Sequence, residues 1–289
     1  MNTSFFSSLK NQTVRDLYWL IFQKSPIASC PVEFNIPLFP DEIISYLEEN
    51  SFNYFRQLDL SPGQLKHFVN RKKNCRLGFY AEALLSYYFQ TYPEIELIIQ
   101  NFQIVDNKKT IGEIDFIIKW KHRILHIELA VKYYLLIPDS DPQKAENWVG
   151  PSKKDNLRKK LLKVQDTQLN LAKNDHTLAQ IAEEYHEKIE SFFMLRGQFF
   201  THDQVSKSFT NTHRKLLPFF FEKDIELENK TIVKELKRPN WLGSLEGNIK
   251  QITFEEHKTV INKPLLVQFK DGEIGFILPE DWRNQAQTA

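Results

Sequence analysis

The sequence predicts a mixed α/β (α+β) fold, and three observations predict it. Residues 95–137 hold three segments in which apolar and polar residues alternate with period two, the pattern of half-buried strands. An apolar stripe at helical spacing (Leu77, Ala81, Leu84, Leu85, Tyr88) precedes them, and another (Leu157, Leu161, Val164, Gln168) follows. The run Phe192–Thr201 then reads as one more strand, so the central order is helix, three strands, helix, strand.

Taken in chain order, Thr13–Phe22 is an amphipathic helix with Thr13 as its cap. A stretch punctuated by Pro26, Pro31, Pro37 and Pro40 follows, and Asp41 then caps a helix from Glu42 to Glu49. The helix Leu77–Tyr92 carries Glu82 on the border of its apolar stripe, where an acid either reaches to solvent or faces a cleft. The strands are Ile95–Val105, Ile111–Trp120 and Arg123–Ile137, with turns at Asp106-Asn107 and Lys121-His122. A polar loop, Pro138–Lys153, leads to a helix from Lys154 to Lys173. Its outer side carries Lys153, Lys154, Arg158, Lys159, Lys160 and Lys163, with Asp155 and Asp166 the only acids between Lys153 and Lys173. Such a run is ordinarily a solvated helix face, and its lopsided sign also suits a phosphate backbone. A second helix is expected near Thr177–Glu190, and a hairpin within Lys263–Pro279 turns on Asp271-Gly272. Residues 1–70 thus form an N-terminal helical extension, 71–201 the core, and 202–289 a β-containing C-terminal extension packing on the core.

The chemistry concentrates in Gly112–Lys132. Glu113 and Asp115 share one side of the second strand; His126, Glu128, Ala130 and Lys132 share one side of the third. Counting outward from a two-residue turn at Lys121-His122 puts Trp120 opposite Arg123 and Asp115 opposite Glu128. Like charges directly opposed across a strand pair are destabilising. A hard divalent cation between the two carboxylates would remove the conflict, and Mg²⁺ is commonly held by one or two of them. The other reading is a solvated strand face with two unrelated acids.

Bulk properties exclude several classes. A net charge of +1 means that any nucleic-acid contact comes from a local patch. Cys30 and Cys75 match no zinc spacing, and the eight histidines form no H-E-x-x-H pattern. There is no G-x-S-x-G elbow and no Walker-type phosphate loop. Two scattered cysteines, no signal-peptide pattern at Met1–Lys10 and no membrane-spanning run predict a cytoplasmic protein without a membrane partner. Trp241, Trp282 and the run Pro218–Phe221 read as core or interface aromatics.

With acids on the helix and on strands two and three, this order resembles the restriction-endonuclease-like core of the PD-(D/E)XK nuclease superfamily. Asp115 and Glu128 match the metal-binding acids, Glu82 the acid that many members add from the helix, and Gly112-Glu113-Ile114-Asp115 the wording of resolvase-type members. Most of the chain also resembles an uncharacterised bacterial family, domain of unknown function 1853. The carrying segments are Arg76–Glu82, Gly112–Asp115, His126–Leu135 and Trp148–Pro151 with Asp155 and Leu157. The resemblance implies a nuclease: a hydrolase of phosphodiesters in DNA or structured nucleic acid, using Mg²⁺ or Mn²⁺. The ion would sit on Asp115, Glu128, the Leu129 carbonyl and Glu82. Lys132 would stabilise charge on the phosphate, and Lys153, Lys154, Arg158, Lys159, Lys160 and Lys163 would hold the backbone. Glu113, His126 and Gln168 are accessory candidates, and a homodimer is an assembly that superfamily members often form. The pattern places lysine two residues after the strand-three acid, where this chain has Ala130. Three readings stay open: Lys132 replaces it, Lys153 or Lys159 replaces it, or the site is degenerate and the chain is a non-catalytic module that binds nucleic acid or a protein.

Overall fold

A computed structural model describes residues 1–71, 76–106, 108–173, 177, 189–203, 205, 208–210, 215–227, 232–237, 241–243 and 261–284. The architecture is mixed α/β. The helices are α1 (Thr3–Ser8), α2 (Gln12–Phe22), α3 (Asp41–Leu60), α4 (Gly63–Asn70), α5 (Leu77–Thr91), α6 (Leu157–Asp166) and α7 (Glu222–Leu227). The strands are β1 (Ile95–Asp106), β2 (Lys109–Trp120), β3 (Arg123–Leu136), β4 (Trp148–Val149), β5 (Ile189–Thr201), β6 (Leu217–Phe221), β7 (Ile232–Glu235), β8 (Leu265–Phe269) and β9 (Ile274–Leu278). The expected helix near Thr177–Glu190 and Cys75 lie outside the described residues, apart from Thr177 and from Ile189 and Glu190, which open β5.

The chain forms two compact units. The first comprises Met1–Ser25, Val32–Val131 and Leu161–Arg196. Its helices are built on aromatic packing: Tyr18 meets Phe22 and Phe55 edge-on at 4.7 and 5.0 Å, and Tyr88 stacks on Tyr92 at 4.9 Å. Helix α2 is buried on every side from Val14 to Phe22. Its cap is Asn11, whose side chain accepts the Thr13 N–H at 3.1 Å, and not Thr13 itself. Its far end is closed by the buried Arg196, which donates from Nε to the Leu20 carbonyl at 2.7 Å and from Nη2 to that of Ile21 at 3.1 Å. Asp41 is likewise no cap: Pro40 holds that position without a side-chain bond, and Asp41 lies in the first turn, where its charge suits the helix dipole. Helix α3 runs on to Leu60 because Ser51, Phe55 and Leu58 continue the buried stripe of Ile44 and Leu47.

In this unit the strands lie in the order β1-β2-β3-β5. β1 and β2 are antiparallel from Ile95↔Trp120 to Asp106↔Lys109. β2 and β3 pair antiparallel from Phe116↔Ile127 to Trp120↔Arg123, the register counted from the Lys121-His122 turn. Lys121 takes the positive φ (56°) that so short a turn requires. Arg123 meets Glu190 and His126 meets Ser191, so contacts advance together along β3 and β5, as in a parallel pair. β3 is not half-solvated. Ile124, His126, Glu128 and Ala130 are as buried as their alternates. Leu171 and Ala172, from a short 3₁₀ segment over Gln168–Lys173, pack with Ile117 and Ile124 on the face that alternation assigns to solvent. Gly112 permits this cover, since a Cβ there would stand 2.5 Å from Leu171 Cδ1.

The helix expected over Lys154–Lys173 is therefore two pieces, α6 and the 3₁₀ segment. Asn156 sets the start, its side chain accepting the Lys159 N–H at 2.9 Å.

The second unit comprises Pro26–Pro31, Lys132–Lys160 and Gly197–Ala289. β4 pairs antiparallel with the end of β3. The order β5-β6-β9-β8-β7 is parallel for the first two pairs and antiparallel for the rest. The β8–β9 hairpin turns on Asp271-Gly272 as expected, with Gly272 at φ 84°. Trp282 is fully buried and donates to the Pro151 carbonyl at 2.7 Å; Trp241, partly exposed, packs on Phe276 at 5.6 Å.

Candidate functional site

The β2–β3 hairpin sets up the site. The pairing of β2 with β3 ends at Phe116↔Ile127, and Asp115 and Glu128 stand one residue beyond it on their strands. The Asp115 carboxylate accepts the main-chain N–H of Leu129 at 2.8 Å, which ties it to β3. Glu128 is wholly buried, and neutral donors hold both of its oxygens. His126 Nε2 stands 3.1 Å from Oε1, and Gln168 Nε2 donates to Oε2 at 2.7 Å. The other imidazole nitrogen of His126, Nδ1, lies 3.0 Å from Ser191 Oγ. Burial pushes His126 down to about 4, and the neighbouring Asp115 charge opposes that fall. The imidazole is then neutral near pH 7.

Two residues of this constellation follow from alternation alone, His126 and Glu128 on one side of β3. Gln168 comes from the apolar line of the following helical segment. Ser191 has no signal in the sequence, since nothing in a lone strand serine tells which residue it will meet. Glu113 is half-buried, with Gln103 Nε2 at 3.4 Å from its Oε2, and Glu82 is half-buried on α5.

Among the described residues, no three His, Cys, Asp or Glu side chains stand close enough together to form a metal-ligand group. What the hairpin offers is two carboxylates at neighbouring positions and the Leu129 carbonyl. These are hard oxygen donors of the type Mg²⁺ takes with several retained waters. Ligating carboxylates are ordinarily hydrogen-bonded by neighbouring groups, as Asp115 and Glu128 are here. The residues therefore fit such an ion in donor type.

In the second unit, the Lys132 ammonium pairs with Asp155 Oδ2 at 2.5 Å, with both side chains about a third exposed (32% and 40%). Tyr134 Oη lies 3.4 Å from the same oxygen, and burial first, then the Asp155 charge, pushes that phenol well above its ordinary value. Lys153 does not belong to the exposed basic face. It precedes α6 at φ 55°, is 5% exposed, and donates to the Arg283 carbonyl at 3.2 Å. Its ammonium lies 4.3 Å from the Trp282 ring centroid, and burial lowers its proton affinity. Lys154, Arg158, Lys159 and Lys163 are exposed, and Lys160 is half-buried.

Among the described residues, no helix is long and apolar enough to cross a membrane. No curated protein and no solved structure matches the chain. One family model does, over residues 15–269, and its description is "Domain of unknown function (DUF1853)". That match spans both compact units, and the chain belongs to the DUF1853 family.

Proposed function

We propose that this chain is a divalent-metal-dependent phosphodiester hydrolase acting on nucleic acid, built on a restriction-endonuclease-like core. The observation that carries the reading is the placement of Asp115 and Glu128 at neighbouring positions across β2 and β3, with Glu128 fully buried. Two such carboxylates repel one another, and a cation between them would remove the repulsion. The order α5-β1-β2-β3-α6-β5, with β3 between β2 and β5, supports the core assignment.

Asp115, Glu128 and the Leu129 carbonyl would hold Mg²⁺ or Mn²⁺; Glu82 does not join them in a three-acid group. When bound, such an ion polarises the phosphate and lowers the pKa of a coordinated water. The protein's own part is preparation. The Leu129 N–H fixes Asp115, and His126 and Gln168 orient Glu128 in a dry setting. Arg158, Lys159 and Lys163 on α6 would contact backbone phosphates, giving salt-sensitive affinity that is indifferent to sequence. Lys132, expected to stabilise charge on the phosphate, is paired with Asp155.

That engagement, with Ala130 at the expected lysine position, favours a second reading: a degenerate module that binds nucleic acid without cutting it. Incubation of plasmid and oligonucleotides with Mg²⁺ or Mn²⁺ separates the two. The hydrolase reading expects cleavage that falls at least about 10²-fold in Asp115→Ala and Glu128→Ala, the scale on which essential catalytic groups act. Equal activity in all three proteins removes this site. Tight binding with no cleavage by any of them establishes the second reading.

A further inference from the structure

We propose that a cleft between α3, α4 and the junction of α5 with β1 binds an alkylammonium ligand of the diamine or polyamine class. The cleft encloses about 610 Å³, lies wholly within the first unit, and has the size of a small-molecule site. Charge complementarity selects the ligand. Among the described residues that line the cleft there is one carboxylate, Glu94, and no lysine, arginine or histidine. An anionic ligand would face Glu94 with no lining cation to offset it. Tyr54, Tyr87 and Tyr92 also line the cleft. Tyr54 Oη is bonded to Thr91 Oγ1 at 2.6 Å, and Tyr92 Oη donates to Glu94 Oε1 at 3.4 Å, so these two residues offer a ligand their rings more than their hydroxyls. The face of such a ring attracts an ammonium group.

The rest of the lining suits the same ligand. Asn50, Asn53, Gln57 and Gln64 bring amide oxygens that accept from N–H donors. Leu58 and Pro93 bring apolar surface for a methylene body, which a bare metal ion does not use. Arg56 stands beside the lining; its guanidinium reaches Asn53 Oδ1 at 3.5 Å and lies over the Phe5 ring, 5.7 Å from the centroid. The chain also shows how this part of α3 takes an ammonium group. Lys121 Nζ lies 3.5 Å from the centroid of the Tyr46 ring and 4.7 Å from that of Trp120. Tyr46 is one turn before Asn50, which donates to its carbonyl at 2.8 Å. An alkylammonium on aromatic rings is thus already present beside the cleft, and the cleft adds a carboxylate to the same combination.

The site does not depend on the hydrolase reading, and its test needs neither metal nor nucleic acid. Titration calorimetry on the full chain compares three four-carbon probes that differ in charge: putrescine, butanediol and succinate. Putrescine should bind, and more weakly as salt is added, while the neutral diol and the dianion should not. Affinity should fall about 5-fold in Glu94→Gln, which removes the charge from an exposed position. It should fall by a similar factor, about 5-fold, in Tyr54→Leu and be kept in Tyr54→Phe, because the ring and not the hydroxyl meets the ligand. No putrescine binding overturns the proposal, as does equal or tighter binding of butanediol or succinate. Putrescine binding that neither Glu94→Gln nor Tyr54→Leu weakens also overturns it, since the ligand then sits elsewhere. If Tyr54→Leu does not fold, the exposed Glu94→Gln carries the comparison alone.

Discussion

Two stretches of β3 handle a charged side chain in opposite ways. At Glu128 the carboxylate is dry and meets two neutral side chains, His126 on the same strand and Gln168 from the 3₁₀ segment. At Lys132 the ammonium is about a third exposed and bonded to an opposite charge. The backbone at Lys132 is the tighter of the two. Gly197 approaches so closely that a Cβ on it would lie 1.8 Å from the Lys132 carbonyl oxygen, and its φ of 117° is one few other residues adopt. A salt bridge in water contributes little, whereas a buried carboxylate depends on every donor that faces it. The strand thus places its chemical specificity at Glu128 and its steric tolerance limit at Lys132.

The largest expected effect breaks the second stretch. Gly197→Ala should cost about 4 kcal/mol or more, seen as loss of folded protein or a collapse of the urea midpoint, because backbone strain and overlap act together. A smaller effect sharpens the first. His126 titrates near 4 when folded and near 6.5 when unfolded, so between those values the unfolded chain binds the extra proton. Stability should be full above about pH 6.5 and fall by about 3 kcal/mol as pH drops to 4, at 1.36 kcal/mol per unit. Thermal melts of wild type and His126→Gln across that window isolate the effect, which should be missing from the variant. Removing the imidazole altogether in His126→Leu should cost about 2 kcal/mol at pH 7, since one oxygen of a buried carboxylate loses its donor. The smallest effect is Lys132→Met, about 0.5 kcal/mol, and wild type should lose that advantage as salt rises.

The hairpin was fully legible in the sequence because its register depends only on a turn and a parity. Counting from Lys121-His122 gives the pairs Trp120↔Arg123 to Phe116↔Ile127 with no knowledge of the rest of the chain, and Asp115 and Glu128 stand one residue beyond the last of them. What parity cannot report is cover. Alternation marks the side of Glu113, Asp115 and Ile117 as the solvated one, yet Leu171 and Ala172 close over Ile117 and Ile124 from a segment about fifty residues away. The same limit hid the burial of His126 and its bond to Ser191. Helix starts were misread by local ambiguity: Asn11 and Thr13 are both good caps, and the choice between them rests on one hydrogen bond. Lys153 resembles its basic neighbours in sequence. Its positive φ turns it away from the helix that they share and toward Trp282.

Arg196 bears on the order in which the chain can be assembled. The carbonyls that end α2 are satisfied by a guanidinium that follows Leu20 by 176 residues. In a nascent chain the Leu20 and Ile21 carbonyls therefore have no Arg196 donor until β5 has been made. A chain halted before Arg196 should show α2 as its first protease-sensitive helix, although every apolar contact that α2 makes with α3 and α5 is already encoded.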